Sequence, residues 1–130
     1  MPFDRTQPVL VIDDSPVMTR IVKELLHQIG ILDVDVALSP QLGLDRLAQR
    51  RYGLVICDWF MPPYTGGDLQ RAMQTRADLA TIPVLLITTQ ADRPERGPRN
   101  GPALEDMAVK PFNAATLAAK IDALVSRRAA

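Results

Sequence analysis

One cysteine in 130 residues, no excess of either charge and no long apolar run set the first limits on this chain. The single thiol, Cys57, excludes an internal disulfide and suits a reducing cytoplasm. Fifteen basic residues balance fifteen acidic ones for a formal net charge of zero, which argues against a dominant nucleic-acid or membrane footprint. No apolar stretch is long enough to span a bilayer, and Met1–Pro8 lacks the hydrophobic region of a signal peptide. The expectation is a soluble, cytoplasmic chain with one substantial core, and so a single domain over residues 1–130.

What the chain does have is a set of short apolar runs, each stopped by a polar residue. Val9–Ile12 ends at Asp13 and Asp14, Leu54–Cys57 at Asp58, Pro83–Ile87 at Thr88, and Met107–Val109 at Lys110. Runs this short and apolar, separated by helix-like stretches, read as buried parallel strands. In an open α/β sheet the site lies beyond the carboxyl ends of the strands. Three carboxylates, a hydroxyl and an amine, spread over almost the whole chain, would then meet in one crevice.

Strand and helix signals alternate five times. Ser15-Pro16 reads as an N-cap with proline at the first helical position, with Val17, Ile21, Leu25 and Ile29 at helical spacing and Gly30 as the stop. Residues 33–38 form a second strand. Ser39-Pro40 repeats the cap-and-proline entry for a helix with Leu44, Leu47 and Ala48 on its apolar side. The third strand spans residues 53–58, followed by a loop over 59–65 and a helix from about Gly66 to Ala77; residues 82–88 form the fourth strand. Asn113 caps a last helix with an apolar stripe of Leu117, Ile121, Leu124 and Val125. Between Thr88 and Lys110 a further helix is due, yet Pro94, Gly97, Pro98, Gly101 and Pro102 fall where its turns should run. An interior proline costs roughly 3 kcal/mol and a glycine about 1 relative to alanine, so a loop with at most a short helical turn is expected there.

The acids repel one another in such a crevice, which raises at least one pKa unless a cation enters. A divalent ion and Lys110 together balance three carboxylates. Oxygen-only ligation excludes a zinc-type site and points to Mg2+ or Mn2+. With Asp58 as nucleophile toward a phosphoryl group, the metal, Lys110 and the Thr88 hydroxyl would stabilise charge on the transferring oxygens.

The motifs VLVIDDSPVMTRIVKELL, VICDWFMPPYTGG, PVLLITT and AVKPF, in this order and spacing, resemble those of response-regulator receiver domains of the single-domain chemotaxis type, from about Pro8 to Val125. The resemblance implies a flavodoxin-like, doubly wound, five-stranded parallel sheet of order 2-1-3-4-5. It implies that Asp58 is the phosphoacceptor, and that Asp14 and Asp58 ligate the metal directly, with Asp13 acting largely through water. The backbone carbonyl of Phe60 would be a third protein ligand. Thr88 would turn toward the phosphoryl group and Lys110 would pair with it. Gly66 matches the family's loop glycine, and a cis bond is common at the position of Lys110–Pro111. A histidine kinase or phosphotransfer protein would be the donor. No DNA-binding segment follows Val125, so the output would be contact with a target protein that the sequence does not name.

The chain departs from the family pattern near that output region. Met107 stands where the family carries an aromatic switch residue, and methionine has no flat ring to toggle. Thr89 stands where a very small residue is preferred, either narrowing access or adding a hydroxyl. Phe60 is apolar where many relatives are polar, which would shield an acyl phosphate from water. The expected switch is therefore an ordering of the loop over residues 90–106 on phosphorylation.

Competing readings attach to several of these residues. Arg93, Arg96 and Arg99 would clamp an anion such as a nucleotide in a phosphorylation-independent module, or form a solvated loop whose charge Asp92, Glu95, Glu105 and Asp106 partly cancel. A phosphatase of the haloacid-dehalogenase type would need a DxD motif after its first strand, whereas this chain has Asp13-Asp14-Ser15 and no substrate cap. His27 reads as a surface or helix-end residue, Cys57 as a buried small hydrophobe, and Trp59 and Tyr64 as loop packing.

Overall fold

The computed structural model describes residues 3–89 and 107–129. Its elements follow in the order β1 (Val9–Ile12), α1 (Pro16–Gln28), β2 (Val34–Ala37), α2 (Pro40–Gln49), β3 (Leu54–Asp58), β4 (Phe60–Met61), β5 (Tyr64–Thr65), α3 (Gly66–Gln74), β6 (Val84–Thr89), β7 (Met107–Lys110) and α4 (Ala114–Ala129). Five strands form one parallel sheet in the order β2-β1-β3-β6-β7. This is the doubly wound 2-1-3-4-5 order once the β4–β5 ladder is set aside. The proposed replacement of a helix by a Pro/Gly-rich loop, with its switch, falls on residues 90–106 and lies outside the described residues.

Alternation along the strands sorts their side chains onto two faces. Val9, Val11, Leu54, Ile56, Leu85 and Ile87 pack with Val22 and Leu26 of α1 and Leu117, Ile121 and Leu124 of α4. Leu10, Ile12, Val55, Cys57, Val84, Leu86 and Met107 pack with Leu47 of α2 and Leu69 and Met73 of α3. Burial on both faces is why these strands read as unbroken apolar runs rather than as alternating ones.

The caps form as their residue types dictate. Ser15 Oγ accepts from the Met18 N–H at 3.2 Å, Ser39 Oγ from Leu42 at 3.1 Å, and Asn113 Oδ1 from Thr116 at 2.9 Å. Thr65 and Asp68 make a reciprocal capping box for α3. Gly30 ends α1 at φ +90°, a left-handed conformation that glycine takes without strain.

Three expectations need correction. On α1, Val17 and Ile21 are exposed at 63% and 46%, while Val22 and Leu26 are buried and Met18, Leu25 and Ile29 partly so. Each i+4 step turns about 40° past a full turn, so a row of strict fours drifts off the core face; the buried stripe mixes threes and fours. On α2 the core side is Gly43 and Leu47 with Leu44 half-buried, whereas Ala48 is exposed. Gly43 is there because a Cβ would overlap Ile12 Cδ1. Helix α3 ends at Gln74 rather than near Ala77, because the Arg76 N–H bonds back to Met73 O and a turn series replaces the helical ladder.

Candidate functional site

Each strand carries its terminal polar residue to one end of the sheet. Asp13 and Asp14 follow β1, Asp58 closes β3, Thr88 is the penultimate residue of β6, and Lys110 closes β7. With β1, β3, β6 and β7 side by side, these groups line a crevice of about 480 Å³ together with Ser15, Met18, Phe60, Pro62 and Thr89. One carboxylate oxygen from each of Asp13, Asp14 and Asp58 can be chosen so that all lie within 4.8 Å of one another. Asp13 and Asp58 are buried, at 2% and 7% exposure, and Asp14 is exposed.

Lys110 Nζ donates to Asp58 Oδ1 at 3.3 Å. The Ser15 N–H donates to Asp13 Oδ1 at 2.9 Å, while Asp13 Oδ2 is buried without a hydrogen-bond partner. Burial pushes the Asp13 carboxyl up to about 6; the Ser15 N–H opposes the shift, and the charge of Asp58 adds to it. Asp58 is also raised, first by burial, against the opposing pull of Lys110. A buried carboxylate oxygen with no donor, in a cluster of anions, fits a hard divalent cation with oxygen ligands.

The loop after Asp58 is built tightly. The Trp59 N–H donates to Ile87 O at 2.7 Å and the Gly66 N–H to Trp59 O at 2.9 Å. Phe60 and Met61 pair antiparallel with Thr65 and Tyr64, across a turn whose Pro62–Pro63 bond is cis. Gly66 leaves no room for a side chain: a Cβ there would lie 2.7 Å from the Asp58 carbonyl oxygen. The Lys110–Pro111 bond is cis.

The crevice collects Asp13, Asp14, Asp58, Phe60, Thr88, Thr89 and Lys110. Thr88 is 1% exposed and its Oγ1 donates to Thr89 O at 3.2 Å. Met107 is not part of the crevice: it is 1% exposed, within the core between the sheet and α2 and α3. Arg93, Arg96 and Arg99 lie outside the described residues. Ser15, Met18 and Pro62 were not foreseen at the site; the helix cap at Ser15 was the one signal that placed residues 15–18 beside Asp14. Cys57 is fully buried, with its thiol pKa raised well above the ordinary value by burial. Trp59 packs on the core as loop packing requires, but Tyr64 is 54% exposed. His27 falls in the last turn of α1 and is half-buried; Arg5 Nε donates to Ile29 O, at the end of that helix, at 3.0 Å.

Fold and crevice define a doubly wound α/β protein with an acid cluster and a lysine at the carboxyl ends of its strands. The chain belongs to the response regulator receiver domain family, which matches residues 9–122. It is similar to the chemotaxis protein CheY-3 of Vibrio cholerae, 33% identical over 125 residues that cover 96% of each chain. It is likewise 33% identical over 119 residues to the chemotaxis protein CheY of Pseudomonas aeruginosa, covering 92% of this chain and 96% of the relative. Among solved structures, the receiver domain of a signal transduction histidine kinase from Syntrophus aciditrophicus superimposes with a TM-score of 0.77 at 28% identity. That likeness covers 94% of this chain and 92% of the other. Membership places the chain in two-component signalling as a phosphoaccepting response regulator. Among the described residues no helix is long and apolar enough to cross a membrane.

Proposed function

We propose that Asp58 takes a phosphoryl group from a histidine kinase or phosphotransfer protein, and that the chain signals by phosphorylation-dependent contact with a target protein. The observation that carries this reading is the nearly buried Asp58 carboxylate, with Lys110 Nζ at 3.3 Å and two further carboxylates converging on it. Asp13, Asp14, Asp58 and the Phe60 carbonyl would hold Mg2+ or Mn2+, which when bound supplies positive charge beside the transferring oxygens. An Asp58 oxygen attacks phosphorus as the P–N bond to the donor histidine breaks; its electron pair stays on the ring nitrogen, and the acyl phosphate forms. Lys110 transfers its ion pair from the carboxylate to a phosphoryl oxygen, and Thr88 Oγ1 gives up Thr89 O to donate to another. The chain would thus promote only its own phosphorylation and dephosphorylation, in the cytoplasm where its donor resides.

The test is intact-mass analysis of wild type and Asp58→Asn treated with acetyl phosphate, in magnesium and in chelator. One added phosphate, absent in the variant and in chelator, is the expected result. Labelling that survives Asp58→Asn would overturn the assignment.

A further inference from the structure

A series of hydrogen bonds leads out of the crevice through the β4–β5 ladder. Phe60 pairs antiparallel with Thr65, and the Gly66 N–H donates to Trp59 O at 2.9 Å. Bonded and unbonded pairs alternate along an antiparallel ladder. Phe60 and Thr65 are therefore an unbonded pair, and the same register gives the Met61 N–H to Tyr64 O. The N–H and C=O groups of Phe60 and Thr65 face away from the ladder, among them the Phe60 carbonyl and the Thr65 N–H. Asp68 Oδ2 accepts that N–H at 2.8 Å. Asp68 is not among the residues that line the crevice. It stands in the first turn of α3, where Arg71 donates to its other oxygen.

These bonds run in series. The Thr65 N–H and the Tyr64 carbonyl belong to one peptide group, and the Met61 N–H and the Phe60 carbonyl belong to another. A carboxylate pulling on the Thr65 N–H makes Tyr64 O more negative. That oxygen pulls harder on the Met61 N–H, which makes Phe60 O more negative in turn. Hydrogen-bonded groups in a chain polarise one another in this way, and a charged acceptor at one end makes the first bond a strong one. We propose that Asp68 is a positioning residue for the divalent ion, acting through the Tyr64–Thr65 and Phe60–Met61 peptide groups to aim the Phe60 carbonyl and strengthen it as a ligand. The inference rests on the reading of that carbonyl as a metal ligand. It gives the capping box two separable parts. The Asp68 N–H donates to Thr65 Oγ1 at 3.3 Å and closes the helix end, while the Asp68 carboxylate takes the Thr65 N–H and starts the relay. That N–H is also the largest cause holding the Asp68 carboxyl below its ordinary 3.8, so the relay starts from an ionised group at neutral pH.

The experiment titrates Mg2+ into wild type, Asp68→Ala, Asp68→Asn and Thr65→Ala with no phosphodonor present, reading Kd from amide NMR shifts; urea titration in chelator gives the stability of each. Asp68→Ala is expected to raise the Mg2+ Kd about tenfold, the lower end of what losing the outer partner of a metal ligand costs. In the same variant the Met61 amide proton moves upfield even in chelator, as its bond to Tyr64 O weakens. Asp68→Asn, whose amide oxygen still accepts the Thr65 N–H, loses affinity by a smaller factor. Thr65→Ala removes the Oγ1 cap but keeps the backbone N–H, so it loses stability while its Kd stays within about twofold of wild type. An unchanged Kd in Asp68→Ala overturns the positioning role. So does an equal loss of affinity in Thr65→Ala, which would trace it to the helix end, or in Asp68→Asn, which would trace it to charge at a distance. Wild type that shows no Mg2+ shifts at the crevice overturns the metal reading and this inference with it, while labelling of Asp58→Asn tests the acceptor separately.

Discussion

Replacing Asp13 by asparagine tests the electrostatics of the crevice most directly, because it removes a charge and almost no volume. Burial lifts the Asp13 carboxyl from 3.8 to about 6. Two units at about 1.4 kcal/mol each amount to roughly 3 kcal/mol by which the folded, metal-free protein disfavours that ionised group. Asp13→Asn keeps an oxygen to accept the Ser15 N–H and replaces the unpartnered Oδ2 by an amide donor that faces carboxylates. A gain of about 1–3 kcal/mol is expected in chelator at neutral pH, or a rise in Tm of about 3–10 °C for a domain of this size. The sign follows from the direction of the shift. Below the unfolded value of 3.8 the carboxyl is neutral in both states and the two proteins differ little. Between there and about 6 the wild type loses the advantage of its neutral form, so the gap opens as pH rises and is complete above that range. Magnesium should close it from the other side, since a ligand at a hundred times its Kd adds about 2.7 kcal/mol to the wild type and less to a variant missing one carboxylate. Thermal unfolding at pH 4 and pH 8, with chelator and with magnesium, reads all of this. A variant that melts at or below wild type in chelator at pH 8 would refute the reasoning.

Two further outcomes follow from packing and hydrogen bonding within the fold. Gly66→Ala should cost about 1–3 kcal/mol by overpacking, since its Cβ would press on the Asp58 carbonyl and on Leu86 Cδ2; denaturant titration gives the loss, and slower labelling of Asp58 should accompany it. Tyr52→Phe should cost about 1.5 kcal/mol, because the buried phenol donates to Asp35 at 2.6 Å. In wild type that phenol is pushed up to about 12 by burial and by Asp35. Its contribution is therefore whole below the ordinary value near 10 and lost as pH climbs through 12, which ultraviolet titration of the phenolate would follow.

The strand ends were legible because a polar residue after an unbroken apolar run is a sharp boundary, and the topology then converts four boundaries into one crevice. Asp13, Asp14, Asp58, Thr88 and Lys110 needed nothing more. Helix faces were less legible. Val17 and Ile21 are as apolar as the residues that are buried, and only their rotation relative to the sheet separates them. The β4–β5 ladder left no pattern, since two-residue strands cannot show a period. The role of Met18 depends on how far α1 tilts over the acids, a tertiary fact that spacing does not encode. Met107, the first residue of β7, is a core side chain between the sheet and α2 and α3.

The first few residues bear on where this domain is cut. The family match begins at residue 9 and ends at 122, but the fold does not. Phe3 is 3% exposed within the core under α1 and α4. Arg5 holds the last turn of α1 through Ile29 O and reaches Asp122 on α4 at 3.4 Å. Leu124 is buried in the same cluster. A fragment trimmed to the matched limits would lose two large core side chains, worth about 1.5–3 kcal/mol each when fully buried, along with the strap that joins the first helix to the last. Fusion partners and cleavage sites therefore belong upstream of Phe3 and downstream of Val125, and a protease that nicks the chain between Arg5 and Pro8 would loosen both terminal helices without touching the crevice.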